Sequence, residues 1–177
     1  LTISDSHFEG NEAYYGTIYM DGVDDRVVVR DSVFFANVAE YGGVFYSRDS
    51  VAYIADNQLV ENDALSDGGG FFLADGSRLT VLNNTLVGQT AAGLGCGIMA
   101  EGDTDAVVSG NIIAHCASGE GVYTEDATTR LQLTHNDVFD CAGGDYGGHH
   151  VGQTGRHGNL AEDPMFTAYT ANLDLSD

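Results

Sequence analysis

The sequence predicts an all-β solenoid, a right-handed parallel β-helix of about six to seven coils with roughly 25–27 residues each. Three observations predict it. One apolar–polar unit recurs along the chain at that period. A second unit, a glycine followed by an apolar run, recurs in step with the first. Apolar residues alternate with a strand-like spacing of two, and with 24 Gly in 177 residues the chain is poorly suited to helices.

The first unit reads as two alternating apolar residues, a small polar pair, a further large apolar residue, then Asn or a substitute. Its anchors are Ile3, Val29, Ile54, Val81, Val108 and Leu133. Phe8, Phe34, Leu59, Leu86, Ile113 and Val138 follow at a fixed offset. Stacked coils bring equivalent residues to about 4.8 Å, the spacing of hydrogen-bonded strands. Side chains alternate across a strand, so each set predicts one inward column. A single coil cannot bury its own faces, and its neighbours complete the core.

The polar pair falls where the coil bends. Ser6, Ser32, Asn57, Asn84, Asn111 and Asn136 share one column there. Asn tolerates left-handed backbone, and its amide can bond to the next amide in a stack. The glycines Gly16, Gly43, Gly70, Gly97 and Gly121 predict another bend, because Gly accepts positive φ without steric cost.

The coils are expected over residues 1–141, with an irregular loop and C-terminal closing segment of the same domain over 142–177. The glycine-rich stretch 143–158 has no strand pattern. Apolar residues then cluster around Pro164, and Leu173 and Leu175 predict one last short strand. Leu1 opens directly on a strand pattern, so further chain or a partner is expected to cover that edge.

Charge narrows the partners. There are 27 acidic residues against 6 basic ones, all Arg, for a net charge of -21. Such a surface repels phosphate backbones and anionic lipid, which excludes nucleic acid as an expected partner. No apolar run reaches membrane-spanning length. Cys96, Cys116 and Cys141 leave at least one thiol unpaired within the chain. Cys116 and Cys141 share a column one coil apart, which predicts either a disulfide or a free half-buried stack.

Phe8-Glu9-Gly10-Asn11 and Phe34-Phe35-Ala36-Asn37 fit the pattern FxxN, and Gly42-Gly43-Val44 and Gly69-Gly70-Phe71 come close to GG followed by a small apolar residue. With these motifs the repeats resemble bacterial surface and secreted parallel β-helix proteins, including the chlamydial polymorphic outer membrane proteins. Later coils depart from the pattern: Gln89, Cys116 and Cys141 stand where Asn is expected. The segment from Asn159 to Phe166 is similar to the closing segment of many secreted right-handed β-helix proteins. The resemblance implies an extracellular or cell-surface location and a structural, adhesion or glycan-contacting module. Other protein subunits or the remaining parts of a longer chain are its implied partners, with polysaccharide as a further one. Proteins of pectate-lyase-like fold are often polysaccharide lyases, hydrolases or epimerases, which makes an enzyme acting on an acidic polysaccharide the alternative.

Four constellations are candidates for chemistry. Asp21, Asp24, Asp25, Asp49, Asp75 and Asp103 fall in one acidic turn column, continued by Glu101, Asp105, Glu125 and Asp126. Stacked carboxylates repel unless a hard cation offsets them, and Ca²⁺ suits oxygen ligands best. Arg26, Arg78 and Arg130, each just before a strand, are the competing solution, a solvated Arg-laced edge. His149, His150 and His157, with Asp145, form an irregular His cluster. Asp31 and Asp56, one coil apart, could pair as acid and base in glycoside hydrolysis, but they share a turn column with Asp5, Asn83, Gly110 and His135. Tyr14, Tyr15, Tyr41 and Tyr53 are candidates for contact with sugars or a partner.

Overall fold

A computed structural model describes residues 1–166. Every strand in it pairs with strands one period before or after it, and all of these pairings are parallel. The result is a solenoid with four sheets running along its length and no helix among the described residues. The first sheet stacks Thr2–Ser4, Val27–Arg30, Val51–Ala55, Arg78–Leu82, Asp105–Ser109 and Arg130–Thr134. The second stacks His7–Glu9, Val33–Phe35, Gln58–Val60, Thr85–Val87, Ile112–Ala114 and Asp137–Phe139. The third, shorter sheet holds Glu12–Tyr15, Val38–Tyr41, Asp63–Ala64 and Thr90–Ala91. The fourth stacks Ile18–Asp21, Phe45–Arg48, Phe71–Ala74, Ile98–Ala100, Val122–Thr124 and Tyr146–Gly148.

Both predicted inward columns form. Ile3, Val29, Ile54, Val81, Val108 and Leu133 are successive register partners in the first sheet. Phe8, Phe34, Leu59, Leu86, Ile113 and Val138 are successive partners in the second. The fourth sheet supplies the facing column of Ile18, Phe45, Phe71, Ile98 and Val122, and the three columns share one core. Identical ring types stack in that core: Phe8 on Phe34 at 4.8 Å and Phe45 on Phe71 at 4.8 Å.

The Asn column is a continuous amide ladder. Asn57, Asn84, Asn111 and Asn136 each donate Nδ2–H to the Oδ1 of the residue one coil on, at 2.9–3.2 Å, and Asn159 ends the series. Each Oδ1 also accepts the backbone N–H of the Asn before it. A second ladder joins Asn11, Asn37, Asn62 and Gln89 through the same bonds. These amides are almost wholly enclosed except at the first coil, so their mutual bonding is what makes their burial tolerable.

Three expectations need correction. The ladder Asn residues do not themselves take left-handed backbone. The residue before each does: Asp5, Asp31, Asp56, Asn83, Gly110 and His135 all have positive φ. The bend is made one position earlier, and the Asn seals it. The glycines Gly43, Gly70, Gly97 and Gly121 are likewise not the positive-φ residues of their turn, which are Gly16, Gly42, Gly68, Gly95 and Gly119. They are there because coils approach too closely for a Cβ. One added to Gly97 would lie 2.6 Å from both the Gly121 carbonyl oxygen and Ile113 Cγ2.

The third correction concerns the glycine-rich loop. Tyr146–Gly148 lies within it and is the last strand of the fourth sheet, and Asn159 and Leu160 continue the stack beneath Asn136 and Asp137. Glycine content hides this strand, since Tyr146 alone carries its inward apolar side chain. Leu173 and Leu175 lie outside the described residues.

Candidate functional site

The outer face of the fourth sheet is the least ordinary surface of the molecule. Alternation sends Ile18 and Met20 inward, so Tyr19 and Asp21 point out. Register then aligns Tyr19, Tyr46, Phe72, Met99 and Tyr123 in one outward file. An outward file on a solenoid normally carries polar residues. Here Tyr46 and Phe72 stack at 5.2 Å with rings 5° apart, and Phe72 and Met99 are buried. The third sheet and the turn after it cover them. Tyr15 packs on Tyr46 at 4.6 Å and on Tyr19 at 5.3 Å, and Tyr41 meets Phe72 edge-on at 5.5 Å. Tyr14 remains 64% exposed at the rim.

Carboxyl groups flank the aromatic file. Asp21, Arg48 and Ala74 align in the next outward file. Glu101 and Glu125 follow along the same edge, held where their backbone N–H groups donate to Leu73 and Ala100 carbonyls. Together these elements enclose a cleft of about 430 Å³, lined by Tyr14, Tyr15, Tyr41, Tyr46 and Phe72 together with Asp67, Glu101 and Glu125. That volume lies within the range of small-ligand sites. Asp67 also fixes the covering turn, accepting from Leu94 N–H at 2.7 Å and from the Ser66 hydroxyl at 3.0 Å.

Glu101 is electrostatically unusual. Burial pushes its carboxyl up to about 7, and Glu125, through a shared hydrogen bond and like charge, pushes in the same direction, as do Asp75 and Asp67. It therefore holds its proton in mildly acid solution. Burial, then Tyr15, raises the Tyr46 phenol to about 12.

The predicted acidic edge is partly assembled. Asp21, Asp49, Asp75 and Asp103 line one open depression of about 780 Å³ with Arg48 and Thr128, whereas Asp24 and Asp25 do not line it. Arg48 holds Asp21 with two hydrogen bonds, Nε to Oδ1 at 2.9 Å and Nη2 to Oδ2 at 2.6 Å, which lowers the Asp21 carboxyl. Asp126 is occupied too. The Thr128 hydroxyl and the backbone N–H groups of Gly102, Thr129 and Thr128 hold it down at about 2. Among the described residues none of Asp49, Asp75 and Asp103 is ion-paired.

The other candidates are scattered. Asp31 and Asp56 are both exposed turn residues with positive φ, remote in the coil from the cleft. Asp31 pairs with Arg30, and Asp56 accepts from Asn83 at 3.3 Å. His150 turns to the Thr124 hydroxyl at 2.9 Å, and no group of His149, His150 and His157 converges as metal ligands among the described residues. Tyr53 stands apart from the other tyrosines, with the Arg26 guanidinium over its ring at 4.6 Å. Of the two alternatives for Cys116 and Cys141, no bond forms between them: Cys116 is joined instead to Cys96, and Cys141 is a half-buried free thiol.

A family model described as a right-handed β-helix region matches residues 1–160. The chain belongs to this right-handed β-helix family. No curated protein and no solved structure is matched. Membership of the β-helix family accounts for the stacked columns and ladders, and fold alone leaves the activity open. The cleft is what distinguishes this β-helix from a plain spacer. By sequence, Glu101 and Glu125 fall with the acidic turns. The missed signal was the file of Tyr19, Tyr46, Phe72, Met99 and Tyr123, apolar at positions that alternation makes outward.

Proposed function

We propose that this chain is a glycan-binding β-helix module, extracellular or on a cell surface, and that the tyrosine–carboxylate cleft is its binding site. The observation that carries this reading is the cleft where the exposed rings of Tyr14 and Tyr15, with Tyr41, lie over the stacked Tyr46 and Phe72 and meet Glu101. Aromatic rings offer flat apolar faces to the C–H faces of a sugar, and carboxylates accept its hydroxyl protons. With a net charge of -21 and three carboxyl groups in the cleft, the chemistry favours a neutral glycan over a uronate chain. Other subunits or further parts of a longer chain are the expected partners in this role.

The test is a binding panel of neutral, amino-bearing and uronate oligosaccharides by calorimetry, with Tyr15→Ala and Tyr41→Ala as variants. Each variant should weaken binding of a neutral glycan about tenfold, or ~1.4 kcal/mol. Unchanged affinity in both would remove the cleft from the reading.

A second reading is enzymatic, as a polysaccharide hydrolase or lyase, and one observation favours it. Glu101, near 7, is suited to donate a proton at neutral pH. Release of reducing or unsaturated ends, abolished by Glu101→Gln, would establish it, while turnover lost instead with Asp31→Asn or Asp56→Asn would move the chemistry to the turn column. Ca²⁺ enters either reading through the depression, where Asp49, Asp75 and Asp103 would be its ligands. A melting temperature unmoved by chelator at fixed low ionic strength would exclude it.

A further inference from the structure

All three cysteines of the chain meet in one place. Their sulfur atoms lie within 4.8 Å of one another, although they come from three different positions in the coil stack. Cys116 and Cys141 occupy the column that carries Asn11, Asn37, Asn62 and Gln89 in earlier coils. The amide ladder stops at Gln89 and sulfur replaces it. Cys96 reaches the same point from the strand entry of the fourth sheet, where its N–H donates to the Glu120 carbonyl at 2.7 Å. Gly121 makes room for this convergence, since a Cβ there would lie 3.0 Å from Cys141 Sγ. The Tyr146 hydroxyl, on the last strand of the fourth sheet, is enclosed and without a partner among the described residues.

A structural disulfide needs only two of these sulfurs. Cys96 and Cys116 are joined, and Cys141 is left as a thiol. Its position against two other sulfurs needs another use. Three thiolates around one thiophilic ion at bonds of ~2.3 Å sit about 4 Å apart, and the three sulfurs already lie within 4.8 Å of one another. The donor set is all sulfur, which selects soft ions such as Cu(I) over hard ones such as Ca²⁺. Ala142, Gly143 and Gly144 beside Cys141 are exposed and leave a short way in.

We propose that Cys96, Cys116 and Cys141 form a redox-gated site for a single thiophilic ion of the Cu(I) type. In the oxidised chain the Cys96–Cys116 bond occupies two of the donors and the site is closed. A dithiol reductant opens it: the S–S bond takes two electrons and two protons to give two thiols, and the reductant becomes a disulfide. The ion then replaces thiol protons, which pass to solvent, and bonds to the three sulfurs. This inference stands apart from the glycan cleft, and neither depends on the other.

The test uses the full chain under anaerobic conditions, with Cu(I) alone as the probe in competition with a chromophoric chelator. Reduced protein should take up one Cu(I) per chain with a sulfur-to-metal charge-transfer band, and unreduced protein should take up none. Cys141→Ser should weaken uptake at least tenfold without changing the melting temperature of the metal-free oxidised protein. Cys141→Ala serves the same purpose if the serine variant folds poorly. Absence of uptake by the reduced chain, equal uptake by the oxidised chain, or wild-type affinity in both Cys141 variants would each overturn the proposal.

Discussion

The side-chain amide of Asn84 donates to Oδ1 of Asn111, 27 positions further along the chain, at 3.0 Å. Through this bond and its repeats, each coil is tied to its neighbours. Asn111 in turn donates to the Val81 and Ser109 carbonyls and to Asn136. Asn111→Asp keeps the shape and the acceptor but removes these donors, and it sets a carboxylate against buried carbonyl oxygens. A loss of about 3 kcal/mol or more is expected by urea unfolding. Asn11→Asp at the exposed first coil should cost far less, and equal losses would contradict the ladder as the source of the effect.

Gly97→Ala tests the close approach of successive coils. Its Cβ has nowhere to go between the Gly121 carbonyl and Ile113. Overpacking should cost about 1–3 kcal/mol by chemical denaturation. Gly10→Ala meets no atom within 4 Å and should cost only the strain of its positive φ. A Gly97 variant as stable as wild type would mean the coils are looser than described.

Glu101 gives the stability a defined pH dependence. Its folded value is about 7 against an ordinary 4.5. Between these values the folded state keeps a proton that the unfolded state has released, so stability falls as pH rises through that window. Glu101→Gln removes the titrating group. Melting temperatures at about pH 5 and about pH 8 should therefore converge in the variant relative to wild type, with the gain at the higher pH. An unchanged difference would place the raised group elsewhere.

Arg48→Ala separates the acidic depression from the core. The ion pair with Asp21 is solvent-exposed, so its loss should change stability little, and what change there is should shrink with added salt. A large loss, measured by urea unfolding, would mean that Arg48 organises the whole edge.

Much of this molecule was legible in the sequence for one physical reason. A parallel solenoid imposes the same environment at every period, so Val29, Ile54 and Val81 had to be alike for their shared column to form. Positions governed by backbone geometry were harder to read. Asp31 and Asn83 both make the bend, yet nothing in their side chains tells bend from ladder. Tyr146 was hidden among glycines that leave no alternation to see. The cleft was hidden for a different reason. It depends on one sheet's outer face being covered by the turn of another, as Tyr15 covers Tyr46, and a repeat pattern describes what lies above and below but not across.

The most direct measurement is a protein-observed NMR titration with the neutral oligosaccharide that binds best in the panel. The account predicts that shifts concentrate at Tyr15, Tyr41, Tyr46, Met99 and Glu101, and that Asp49 and Asp75 stay still. Shifts centred on the acidic depression, or none across the whole panel, would contradict it.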